Sequence, residues 1–336
     1  SSSTRACFSG GANGGSQSLI EFVTIASQGN ATDFGDMTVI RNSQAALTNS
    51  VRLLNAGGQP ATDVIDFIQI PTGGNAVDFG DLTAQNLDME GCSNSHGGLN
   101  DGYQGTRPIP FNEAGGDRGI VAGGYDGSNR LTLIQSVKIS STGNSNKFGD
   151  LSVAKNAMAG ISSKIRGLVA GGNTPTELST IDYITFSTEG NSADFGDLTQ
   201  ATSVPANQVG NNTRGLIGGG QSGPTFTGVI SYVTIATIGN AADFGDLSVT
   251  RGTLAGTSSN IRGVFAAGEV SGTYSNVIDY VTISTTGNAT DFGDVQAIRK
   301  GTSGVSNSTR GVFGGGENGS GVSNILGYVT IATKSA

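Results

Sequence analysis

The chain repeats itself at a nearly fixed period. An Arg followed by a short apolar run and a pair of small residues stands at TRACFSGG (4–11), VRLLNAGG (51–58), DRGIVAGG (117–124), IRGLVAGG (165–172), TRGLIGGG (213–220), IRGVFAAG (261–268) and TRGVFGGG (309–316). The anchoring residues Arg5, Arg52, Arg118, Arg166, Arg214, Arg262 and Arg310 are spaced 47, 66, 48, 48, 48 and 48 residues apart. A unit of this length cannot bury both of its faces alone, so repeats must cover one another. The one long interval marks an insertion at 96–116.

Two further strings recur in fixed order. The first alternates apolar and polar residues: EFVTIA, DFIQI, SVKIS, DYITF, SYVTI, DYVTI and GYVTI. In DYVTI this puts Tyr280 and Thr282 on one face and Val281 and Ile283 on the other, the pattern of a half-buried strand. The second is GN…FGD, present six times, with Phe34, Phe79, Phe148, Phe195, Phe244 and Phe292 before Asp36, Asp81, Asp150, Asp197, Asp246 and Asp294. No apolar period of 3.6 residues persists beyond a turn. The 55 glycines follow no Gly-X-Y rule and indicate many turns.

Four short strands per unit over seven units predict an all-β fold, a seven-bladed β-propeller forming a single domain over 1–336. Its units begin near 1, 48, 114, 162, 210, 258 and 306. Strand A is the small-residue stretch such as LAGTSS, B is RGVFGGG, C is DYVTI, and D is the LTV or LSV after FGD. This puts GN…FGD at the C–D corner. The strings supply seven B and seven C strands but six A and six D. The first blade therefore lacks A and the last lacks D. Those strands are expected from outside this segment or from a neighbouring subunit. The chain opens inside a motif without Met, which suggests a processed protein or part of a longer one.

The chemistry of the repeats reads as structural. FGD invites comparison with a magnesium-holding kinase corner, but no Gly-rich phosphate loop with its Lys and no HRD element accompany it. Asp291, Asp294 and Asn288 offer oxygens to calcium, yet the Glu that closes an EF-hand loop is absent, and the third copy has Lys147 in place of the first Asp. Asn and Asp are expected to bond their own backbone in a turn, with Phe packed between blades. The seven anchoring Arg are expected to pair with the FGD carboxylates; the alternative is a ring gripping an anionic ligand. A basic residue follows the FGD Asp by five positions at Arg41, Lys155, Arg251 and Arg299, and is Asn86 and Thr202 in two copies.

His96 is the single histidine, so His-based zinc sites and a Ser-His-Asp triad have no support, and no cofactor or enzymatic activity is expected. The insertion, with His96, Asn100, Asp101, Tyr103, Gln104, Arg107 and Phe111, is the candidate interaction loop; the alternative is that it fills the hub or packs on a neighbouring subunit. Cys7 and Cys92 read as two small buried side chains rather than a bridge. A net charge of −8 argues against nucleic acid as a partner, and no apolar run is long enough to insert into a membrane.

The order of anchors resembles the kelch repeat over the whole chain. The pairs Gly57–Gly58, Gly123–Gly124, Gly171–Gly172 and Gly315–Gly316 match its double glycine. Tyr183, Tyr232, Tyr280 and Tyr328 match its Tyr, with Phe22 and Phe67 as variants. The Phe of FGD stands where kelch has Trp, a departure in every copy. The wording GNATDFGD…STRGVFGGG also resembles predicted fibre and virion proteins of marine bacteriophages, cyanophages especially. That resemblance implies a virion or extracellular location and a structural or adhesive role. The implied partners are the chain itself, as a homo-oligomer or filament, other virion proteins, and a cell-surface glycan or protein receptor. The alternative is a secreted carbohydrate-binding propeller, with its ligand among the variable B–C loops.

Overall fold

The computed structural model describes residues 2–49, 51–94, 116–206 and 209–333. The chain is all-β, a β-propeller fold of seven blades, each an antiparallel sheet. Blade 1 is β1 (Arg5–Ser9), β2 (Gln17–Thr24) and β3 (Thr32–Arg41). Blade 2 is β4 (Ala45–Thr48), β5 (Arg52–Ala56), β6 (Thr62–Gln69) and β7 (Val77–Asn86). Blade 3 is β8 (Glu90–Ser93), β9 (Arg118–Ala122), β10 (Leu133–Lys138) and β11 (Asn146–Asp150). Blade 4 is β12 (Ala159–Ser162) and β13 (Arg166–Ala170), a small hairpin of β14 (Asn173–Thr174) and β15 (Thr176–Glu177), then β16 (Thr180–Thr185) and β17 (Ala193–Asp197). Blade 5 is β18 (Val209–Gly210) and β19 (Arg214–Gly218), the hairpin β20 (Gln221–Ser222) and β21 (Thr225–Phe226), then β22 (Val229–Thr234) and β23 (Ala242–Asp246). Blade 6 is β24 (Ala255–Ser258), β25 (Arg262–Ala266), β26 (Glu269–Val270), β27 (Thr273–Thr282) and β28 (Thr290–Arg299). Blade 7 is β29 (Ser303–Ser306), β30 (Arg310–Gly314) and β31 (Leu326–Thr330).

Within a blade the strands lie in the order A-B-C-D. The first blade has B, C and D, and the last has A, B and C, as the counts of strings require. By contacts the chain forms two compact units. One comprises Ser1–Asn156, Ser162–Gly167 and Tyr183–Ala193; the other comprises Ala157–Ile161, Leu168–Asp182 and Asp194–Ala336.

One expectation about the strands is corrected. Strand D is not the stretch after FGD: FGD itself lies in the strand, and only Gly-Asn remains in the turn. In blades 1, 2 and 6 the strand continues through that stretch. In blades 1, 2, 3, 5 and 6 strand D carries a bulge opposite strand C; in blade 1 Ile20 faces Gly35 while Glu21 faces Asp33. The extra residue is Phe34. Bulges at the equivalent place bring Phe79, Phe148, Phe244 and Phe292 into the core. A period-2 reading of the sequence does not register such an insertion.

Each apolar cluster joins neighbouring blades. In the first unit, Leu54, Ile65, Phe79 and Leu82 of blade 2 pack with Val121, Val137 and Ile139 of blade 3. In the second, Leu216, Ile230, Phe244 and Leu247 of blade 5 pack with Phe265, Val281 and Ile283 of blade 6. The B strands are buried on both faces, which is why they read as continuous apolar runs.

The GN…FGD string acts across blades. Asn75 Oδ1 accepts the Asp36 amide at 3.1 Å, Gly74 N donates to Phe34 O at 2.7 Å, and Ala76 N donates to Asp36 O at 2.7 Å. The same three bonds join Asn144 with the second FGD, Asn191 with the third, Asn240 with the fourth and Asn288 with the fifth. The glycine of FGD is required by this clasp. A Cβ on Gly80 would lie 2.6 Å from the Gly143 carbonyl carbon, and its φ is +141°. By contrast, a Cβ on Gly74, with φ +132°, meets nothing. Gly80→Ala is therefore expected to destabilise by about 2–4 kcal/mol, clearly more than Gly74→Ala, in chemical denaturation. Equal losses would show that backbone strain, not the clasp, sets the cost.

Candidate functional site

Three arrangements of polar side chains recur or stand out. The first is at the blade anchors. The expected pairing of these arginines with the FGD carboxylates is not what their geometry shows. The guanidinium lies over the aromatic ring of strand C: Arg5 over Phe22, Arg52 over Phe67, Arg166 over Tyr183, Arg214 over Tyr232, Arg262 over Tyr280 and Arg310 over Tyr328, at 4.4–4.9 Å. The ring in turn meets the FGD Phe edge-on in blades 1, 2, 5 and 6, at 5.3–5.9 Å. Nη1 donates to a carbonyl of the next blade: Arg5 to Ile70, Arg52 to Ile139, Arg214 to Ile283 and Arg262 to Ile331. The FGD carboxylates bond short side chains of their own blade instead, as in Ser18 to Asp36 and Ser179 to Asp197. These arginines stack and cross-link; an alternating pattern shows the ring but not the carbonyl one blade away.

The second arrangement is buried between blades. The residue five past the FGD Asp reaches strand C of the next blade. Arg41 meets Asp66 at 2.8 Å and Arg251 meets Asp279 at 2.9 Å, all four side chains fully buried. Burial holds both guanidinium groups below their ordinary pKa range, and the neighbouring carboxylate opposes that shift. Asp66 also accepts the Thr38 amide and hydroxyl, and Asp279 the Ser248 amide. Where the first position is neutral, so is the second. Asn86 precedes a blade that carries Gln135, whose Oε1 accepts Thr83 N and Oγ1. Thr202 precedes a blade that carries Ser231, bonded to Thr199 at 2.6 Å. Lys155 and Asp182 occupy the same two positions and are both buried.

In the Arg41–Asp66 and Arg251–Asp279 joints the buried charge therefore comes with its counter-charge, which offsets the several kcal/mol that a lone buried ion costs. Asp279→Ser, which strands Arg251, is expected to cost about 3–5 kcal/mol. Adding Arg251→Thr, to copy the Thr202–Ser231 pair, should recover part of that loss in a double-mutant denaturation cycle. A double variant less stable than Asp279→Ser alone would contradict the coupling.

The third arrangement is a cleft in blade 3. Strand C has Ser136 where the other blades have an aromatic residue, so Arg118 moves toward Phe148, at 5.7 Å, and Glu189, at 3.9 Å. The space left is lined by Asp117, Arg118, Ser136, Lys138, Asn146 and Glu189 and has a volume of about 310 Å³. It holds both signs of charge and no aromatic platform.

His96, Asn100, Asp101, Tyr103, Gln104, Arg107 and Phe111, the candidate interaction loop, lie outside the described residues. Cys7 and Cys92 are free thiols. Among the described residues, no three His, Cys, Asp or Glu side chains are placed to hold a metal ion, and no helix is long and apolar enough to cross a membrane. No protein-family model matches the chain, and a search of curated proteins finds no match.

Proposed function

We propose that the chain is a non-enzymatic structural and adhesion module of a virion or extracellular fibre, which associates with copies of itself or with other virion proteins and contacts the host surface. The wording of its kelch-like repeats supports the setting. The observation that carries the assembly is the pair of three-stranded blades. Strand β31 has no strand on its outer side among the described residues, and its Tyr328 is 40 % exposed where Tyr232 and Tyr280 are half-buried. Within this segment no GN string is available to the sixth FGD, at Phe292–Asp294. A GN…FGD strand, from another chain or from this polypeptide outside this segment, fits the β31 edge and offers a GN to the sixth FGD. Strand addition at an open edge gives affinity through main-chain hydrogen bonds, and a head-to-tail contact that does not close builds a filament.

The test is light scattering over a concentration series, with and without a peptide of sequence 287–299. Self-association that the peptide suppresses is expected. A monomer at every concentration that also ignores the peptide would sink the assembly reading.

The blade 3 cleft favours a second reading, a carbohydrate-binding propeller. Polar groups of both signs suit the hydroxyls of a sugar better than an apolar ligand. Glycan-array binding that is lost in Lys138→Ala and Glu189→Ala would move the conclusion to that reading; an array without hits counts against it.

A further inference from the structure

Among the described residues, the joint between blades 6 and 7 buries a cation without a counter-charge. Arg299 ends β28 and is 0 % exposed. Its Nη1 donates to Ile325 O at 2.6 Å and to Gly315 O at 3.2 Å, as Arg41 does to Val64 and Gly57. Its Nη2 differs. In Arg41 and Arg251 that nitrogen rests on Asp66 or Asp279. In Arg299 it has only Phe313 O, at 3.5 Å. The position of the missing carboxylate is Gly327, which pairs with Phe313 as Asp279 pairs with Phe265.

Among the described residues nothing else fills the gap. A Cβ on Gly327 would find a single heavy atom within 4 Å, Arg299 Nη2 at 3.5 Å. Gly327 does not have a positive φ, so the backbone does not demand glycine there. It is half-buried, whereas Asp66, Asp182 and Asp279 are buried, so solvent reaches the space. Gln296 stands in the repeat where Thr38 and Ser248 turn their amides toward Asp66 and Asp279. Burial depresses the Arg299 pKa with no carboxylate to oppose it. An arginine does not give up its proton in a protein, so its charge is met by a counter-ion or left to strain the joint.

We infer that this gap binds a small monovalent anion of halide size against Arg299 Nη2, with the Gln296 amide as a second donor. The anion takes the place of the aspartate found at the equivalent joints.

Two measurements on the full chain test it, with bromide as the probe. Crystals grown in bromide are expected to show an anomalous peak beside Arg299 Nη2 that is absent in Gly327→Asp. In thermal unfolding, raising bromide from near zero to about 0.2 M should lift the wild-type Tm by about 2 °C more than that of Gly327→Asp. Gly327→Asp should melt higher than wild type at low halide, because its carboxylate is already in place. Arg299→Met should lose the excess halide response; if it does not fold, the Gly327→Asp comparison carries the test alone. Water instead of bromide, an adventitious ion seen only at crystal concentration without the excess Tm response, or the same halide response in Gly327→Asp would each overturn the inference.

Discussion

The structure depends on one backbone contact, the clasp of a Gly-Asn turn onto the FGD of the blade before it. Strand D uses its backbone twice. One edge pairs with its own strand C, while the bulged residues turn Phe34 O and Asp36 O toward Gly74 and Ala76 of the next blade. The bulge makes this possible, and it also drives the Phe ring inward. Glycine is needed at Gly35 because the neighbouring turn occupies the place of a Cβ, with Gly74 C at 2.6 Å. Conformation, packing and cross-blade bonding are met by three consecutive residues, which explains why the string varies so little between copies.

Five joints are also pinned by a short backbone bridge: Asn42 with Gln59, Leu87 with Tyr125, Ser203 with Gln221, Gly252 with Glu269 and Lys300 with Glu317. The buried polar pair lies between these two attachments. Its chemistry alternates between ionic and neutral solutions of similar shape. That tolerance follows from the energetics: a buried ion pair gains little over a neutral pair once desolvation is counted, but half of either pair is costly. Among the described residues, the joint between blades 6 and 7 keeps the bridge and the arginine and shows neither the clasp nor the carboxylate.

Much of the fold is legible in the sequence because each signal is local. Strands B and C show in their apolar runs and alternation, the unit length in the Arg spacing, and the incomplete blades in the unequal counts. The role of the anchoring arginines is not legible, since the Ile70 carbonyl that Arg5 binds is 65 residues away. The cleft at Arg118 has a signal that could have been found: Ser136 breaks a column of aromatics otherwise present in every copy. The absence of an acid at Gly327 is likewise visible in GYVTI against DYVTI, but its meaning needs Arg299 beside it.

By itself the sequence determined the repeat, strands B and C and the all-β class, because these follow from periodicity and glycine placement along the chain. Only the tertiary structure decided which blade each motif serves. Gly-Asn and FGD are neighbours in sequence, yet each bonds the copy on a different blade, and the basic residue after FGD finds its partner one repeat away. Side-chain pairing across a joint is set by the stacking of blades, and stacking leaves no local trace in the chain.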